Sequence, residues 1–81
     1  MEVRQIGSNM SEVLNGKGAR VLVSYSTPVA AFVHGEVWVC SEWYSMTTTT
    51  HINKFTGLST TKNNKDGARV VSTAELQELI R

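Results

Sequence analysis

One cysteine and two histidines carry the nucleophilic and metal-ligating potential of this 81-residue chain. A cysteine beside a histidine can form a reactive thiolate. Cys40, however, lies between Val39 and Ser41 in an apolar run, where cysteine acts as a small space-filling residue. His34, Cys40 and His51 are six and eleven residues apart, with no Cys-x-x-Cys or His-x-x-x-His spacing, so no metal site is expected. Glu36 and Glu42 stand an even six apart, on one face of a strand, as surface charges rather than a general acid and base. Gly16 and Gly18 form no phosphate loop, since a strand pattern and not a helix follows them. No catalytic residue, cofactor or metal is therefore expected, and the chain is read as a non-enzyme.

Binding chemistry is better represented. Trp43 and Tyr44 are adjacent at the end of a strand pattern, the residue types that anchor protein interfaces. Lys54, Lys62, Lys65 and Arg69 face only Asp66 among carboxylates of the same region, and hydroxyls and amides are interleaved with them. Such a region suits the rim of a protein interface or contact with phosphate. Trp38 and Tyr44 share parity with Cys40 and could offer stacking faces to bases. His51 lies one turn after Thr47 and three before Lys54. On a helix these three residues form one stripe, expected to face solvent.

The elements that must position these residues follow from pattern. Ala19–Ser26, Val29–Val33 and Val37–Glu42 are rich in β-branched residues and broken by Pro28 and by His34-Gly35. They read as a three-strand antiparallel meander. Pro28, lacking an N–H, belongs at a turn, an edge or a bulge. Glu2–Ile6 reads as a short strand. After it, Met10, Val13 and Leu14 fall at i, i+3 and i+4, which predicts a short helix capped by Ser8 or Asn9 and ended by Asn15–Gly18. Thr47 or Thr48 is expected to cap a helix that buries Thr48, Ile52 and Phe55 and stops at Gly57. Residues 59–67 contain no apolar side chain and are expected to form an exposed loop. A short strand at Ala68–Val71 precedes a capping box, Ser72-Thr73-Ala74-Glu75. Val71 and Leu76 take the staple positions, and Leu76, Leu79 and Ile80 form the buried stripe. The expected fold is α+β: a small antiparallel sheet, a three-strand meander plus one or two short strands, with two or three short helices on one face.

Composition agrees with one folded domain over residues 1–81, with 1–18 as a peripheral segment. Eight basic and seven acidic residues give a net charge of +1, neither a basic nucleic-acid coat nor an acidic mimic of one. Apolar residues make up 41% and charged residues 19%, a balance that can support a core. A single cysteine forms no internal disulfide. No apolar run approaches the ~18 residues of a membrane span, and Met1–Gln5 carries no apolar leader pattern. A cytoplasmic protein is expected. The core of so short a chain is thin, so a partner or a small homo-oligomer is an available source of stability.

Two blocks carry a resemblance. Val23-Ser24-Tyr25-Ser26-Thr27-Pro28-Val29-Ala30-Ala31 and Trp43-Tyr44-Ser45-Met46-Thr47-Thr48-Thr49-Thr50-His51-Ile52-Asn53-Lys54-Phe55 resemble a family of short, functionally uncharacterised proteins of bacteriophages and other mobile elements. That pattern is S-Y-x-T-P-V-A, then W-S-x-T-T-x-x-H-I-N, a basic residue, and an aromatic or leucine. This chain departs from it in placing Tyr44 between Trp43 and Ser45, and in the polar Thr56-Gly57. The resemblance implies a phage-type protein and carries no catalytic residues. With the small size, it points to stoichiometric binding of a host protein or ribonucleoprotein, as an inhibitor of a bacterial defence complex in the manner of anti-CRISPR proteins, in the host cytoplasm. The contact residues expected are Trp43, Tyr44, His51, Lys54, Lys62, Lys65 and Arg69. The alternative is a nucleic-acid-binding accessory protein using the basic 54–69 region.

Overall fold

The computed structural model describes residues 2–81. Six strands, β1 (Glu2–Gly7), β2 (Met10–Leu14), β3 (Ala19–Ser24), β4 (Thr27–Val33), β5 (Glu36–Cys40) and β6 (Arg69–Val71), form one sheet in sequence order. The first five are joined by hairpins and run antiparallel, and β6 adds parallel to β5. A parallel neighbour requires a crossover, here the long connection that contains helix α1 (Met46–Thr56). Helix α2 (Thr73–Leu79) follows β6 directly.

The expected meander is present as β3–β5. Its tight turn is His34-Gly35, both at positive φ (49° and 85°). That geometry matches the twist of the flanking strands and suits glycine at the second position. Pro28 sits where the β3–β4 register shifts: Leu22 pairs with Ala30, Val23 with Pro28, and Val29 is the extra residue. A bulge tolerates the missing N–H of proline.

The helix expected over Met10–Leu14 is instead strand β2, with Val13 opposite Val21 and Glu12 opposite Leu22. Five residues fit either period, and pairing on both sides decides between them. Asn15 then closes a hairpin rather than ending a helix: its Oδ1 accepts from the backbone N–H of Lys17 at 2.7 Å and of Ala19 at 3.1 Å. Met10 and Val13 are core residues, so the part of 1–18 that holds β2 is integral and not peripheral.

The helices do not share a face. Ser24 contacts α1 through Thr48 and His51, and Arg20, of the same parity, lies over the Phe55 ring at 5.7 Å. Ala19 and Val33, paired with each other and of opposite parity to Arg20, line a cleft with Leu79 of α2. The sheet is therefore sandwiched, which explains why Val21 and Leu22, and Ala30 and Ala31, are all inaccessible although neighbours point to opposite faces. Ile52 and Leu76 are the main buried residues that α1 and α2 contribute to the core.

Candidate binding surface

Segment Ser41–Ser45, between β5 and α1, displays two aromatic side chains and is held at both ends. At one end, Glu42 Oε1 accepts from the Thr73 N–H at 3.2 Å and the Thr73 hydroxyl at 3.1 Å, at the first turn of α2. Hydrogen bonds from its own backbone N–H, Ser41 and Thr73 hold the Glu42 carboxyl below its ordinary pKa. Because Thr73 donates to Glu42, the Tyr44 hydroxyl donates to Thr73 Oγ1, at 2.7 Å. At the other end Ser45, not Thr47 or Thr48, is the N-cap of α1, accepting from the Thr48 N–H at 3.1 Å. Trp43, 42% exposed, and Tyr44, 43% exposed, are thus presented on a short, tethered segment.

Beyond Trp43 lies a groove of about 380 Å³, bordered by Met46, Asn53, Thr60 and Lys62. Met46 is 76% exposed, the most accessible large apolar side chain among the described residues. The groove's far wall is set by Asn53 of α1. Its Oδ1 accepts from the Thr60 N–H and hydroxyl, both at 2.8 Å, and its Nδ2 donates to the Thr60 carbonyl at 3.1 Å. Thr60 is buried by this clasp, although it lies in the segment expected to be exposed. The clasp brings Lys62 over the Trp43 ring, 5.2 Å from its centroid. Lys65 Nζ donates to the Lys62 carbonyl at 3.0 Å.

The other expected contact residues diverge. Lys54 is exposed on the opposite flank of α1, beside the β1–β2 hairpin. Arg69 lies over the Trp38 ring at 5.1 Å and 3.8 Å from Glu36, on the α2 face of the sheet. The cations therefore do not converge on one patch.

His51 is not on a solvent-facing stripe. It is 7% exposed, with Nδ1 2.8 Å from Ser24 Oγ and its ring tilted against Tyr25 at 5.9 Å. Ser24 also meets Thr48 Oγ1 at 3.2 Å, and the Ser45 hydroxyl donates to Thr48 Oγ1 at 3.2 Å. Completing this network assigns the proton directions: with Thr48 Oγ1 accepting from Ser45, its own hydroxyl proton goes to Ser24 Oγ, the one other partner it has there, and Ser24 donates to His51 Nδ1. In that assignment the imidazole carries its proton on Nε2.

Cys40 and His51 lie on opposite sides of the sheet. Cys40 pairs with Val71 on the α2 face, buried, with Sγ donating to the Glu42 carbonyl at 3.2 Å. Burial, and then the charge of Glu42, push its thiol up to about 11, the condition of an inert cysteine. Among the described residues no three His, Cys, Asp or Glu side chains are placed to hold a metal ion. No helix among the described residues is long and apolar enough to cross a membrane.

Sequence pattern did not single out Met46, Asn53 or the buried Glu12. The Glu12 carboxylate, 4% exposed, is paired with Arg20, whose guanidinium lies over Phe32 at 5.4 Å. Only the even spacing of Glu12 from Met10 and Leu14 could have placed it on an inward face.

No curated protein and no solved structure matches the chain. A family profile does match it, over residues 1–72, a span that takes in all six strands and α1. The chain belongs to that family, DUF8033, a family of unknown function.

Proposed function

We propose that this protein acts by occupancy, binding a macromolecular partner in fixed stoichiometry through the surface formed by Trp43, Tyr44, Met46 and Lys62. The observation that carries the reading is the exposure of Trp43 on a segment tied down at Glu42 and at Ser45. An aromatic anchor already fixed in place forfeits little conformational entropy on binding. The Met46 thioether adapts to irregular partner surfaces, and the hydroxyls and amide of the groove supply a polar rim. The resemblance to short phage proteins supports a bacterial defence complex as the partner and inhibition as the outcome, in the host cytoplasm.

The test is a nuclease-treated pull-down from bacterial lysate, followed by mass spectrometry and a defence assay with the recovered complex. Trp43→Ala combined with Met46→Ala should abolish both complex and inhibition while leaving thermal unfolding unchanged. A complex that survives the double substitution sinks the reading. The nucleic-acid alternative has weaker support, because Arg69 is engaged with Glu36 on the far face. It would be revealed by a complex that dissolves under nuclease and by affinity falling steeply with salt.

A further inference from the structure

Of the stripe Thr47, His51 and Lys54, the outer two side chains are exposed and His51 is buried between them. The stripe faces the β1–β2 hairpin across a groove of about 420 Å³, separated by Thr50, which borders both, from the Trp43 groove on the other flank of α1. Ile6, Met10 and Phe55 give the groove an apolar floor and wall, and the polar side chains on it are Ser8, Thr47, His51, Lys54 and Thr50, whose hydroxyl is already given to the Met46 carbonyl. We propose that this groove binds a small phosphate ester. Its phosphate would sit on Lys54, His51 Nε2 and the Thr47 and Ser8 hydroxyls, and its apolar body on Ile6, Met10 and Phe55.

Three independent features point to an anion. The hydroxyl chain from Ser45 through Thr48 and Ser24 occupies His51 Nδ1 as an acceptor. Nε2 is left as an N–H donor on a ring that lines the groove and is more than nine-tenths buried. Among the described residues, neither Nε2 nor Lys54 Nζ has a side-chain or carbonyl partner within bonding distance, while four arginines are paired with carboxylates. No carboxylate lines the groove. A fixed N–H donor, an ammonium and two hydroxyls satisfy phosphate oxygens through charge-assisted bonds. A groove of this size beside apolar side chains accepts a small organic ligand rather than a bare ion alone.

The experiment is an amide-resolved NMR titration of the intact protein with phenyl phosphate, alongside phenol and inorganic phosphate. Phenyl phosphate should give saturable shifts at Ser8, Thr47 and Lys54, with a dissociation constant of about 1 mM or tighter. Phenol and inorganic phosphate should each bind at least about tenfold more weakly. Lys54→Met, a change at an exposed site, should weaken phenyl phosphate about tenfold with no change in unfolding temperature. Three results would overturn the site: no saturation, equal affinity for phenol, or undiminished binding to Lys54→Met. An unphosphorylated single-stranded oligonucleotide that binds the same amides more tightly than phenyl phosphate would also overturn it, in favour of a nucleic-acid track. Trp43→Ala leaves this groove intact, so the outcome stands apart from that of the protein-binding test.

Discussion

At the scale of single residues, the molecule is governed by polar groups that found partners inside. Ser24, 2% exposed, serves both Thr48 and His51. Ser24→Ala leaves a buried imidazole nitrogen without a partner and the Thr48 hydroxyl proton without an acceptor, so we expect a loss of about 1–3 kcal/mol. Urea unfolding checks this, and an unchanged midpoint would show that the chain of hydroxyls carries no stability. Cys40 makes a second prediction. Its thiol is raised from an ordinary value of 9.0 to about 11 in the folded state. Between those values the unfolded state loses its proton and the native state keeps it. The Cys40 contribution to stability therefore falls as pH rises through that window, and Cys40→Ala should remove that share of the slope. At pH 8 iodoacetamide should leave the native protein unmodified and alkylate it in denaturant; rapid native alkylation would contradict the burial.

At the scale of elements, both helices are stopped and started by local chemistry. Gly57, at φ 79°, ends α1 in the left-handed conformation, with its N–H on the Asn53 carbonyl. A Cβ there would meet nothing within 4 Å, so Gly57→Ala costs only backbone strain, about 1–2 kcal/mol. Gly57→Asn should recover part of that loss. Helix α2 is only seven residues long and depends on its capping box, in which Ser72 and Glu75 bond each other's backbone N–H groups. Ser72→Ala is expected to cost about 1 kcal/mol, read as a lower thermal midpoint and faster amide exchange in the first turn of α2. Both devices are visible in the sequence because they depend on neighbours within four residues. Met10–Leu14 is not legible in that way. Its apolar spacing fits a helix, and it becomes a strand because β1 and β3 hold it from both sides.

At the scale of the whole molecule, one side chain is the fully buried contribution of the last helix to the core. Leu76 is wholly buried and belongs to the same core cluster as Val71 of β6. Leu76→Ala should destabilise the protein by about 2–5 kcal/mol. That is a large part of the ~5–15 kcal/mol typical of a native protein, so the expected result is a much lower urea midpoint, read by circular dichroism. An unchanged midpoint would mean that Leu76 is dispensable to the core.

The amino-acid order by itself determined the meander β3–β5, an irregularity at Pro28 that the strand pairing resolves as a bulge, the end of α1 and the start of α2. Each rests on alternation, on a missing N–H, on a positive φ or on a reciprocal cap, all properties of adjacent residues. Tertiary structure alone decided three things: that β2 is a strand, that the two helices cover opposite faces, and that His51 lies in a groove instead of in water. The reason is the same in each case. Local pattern says which side chains avoid water, but the surface that covers them comes from residues far away in the chain, and for His51 that surface is Ser24 and the β1–β2 hairpin.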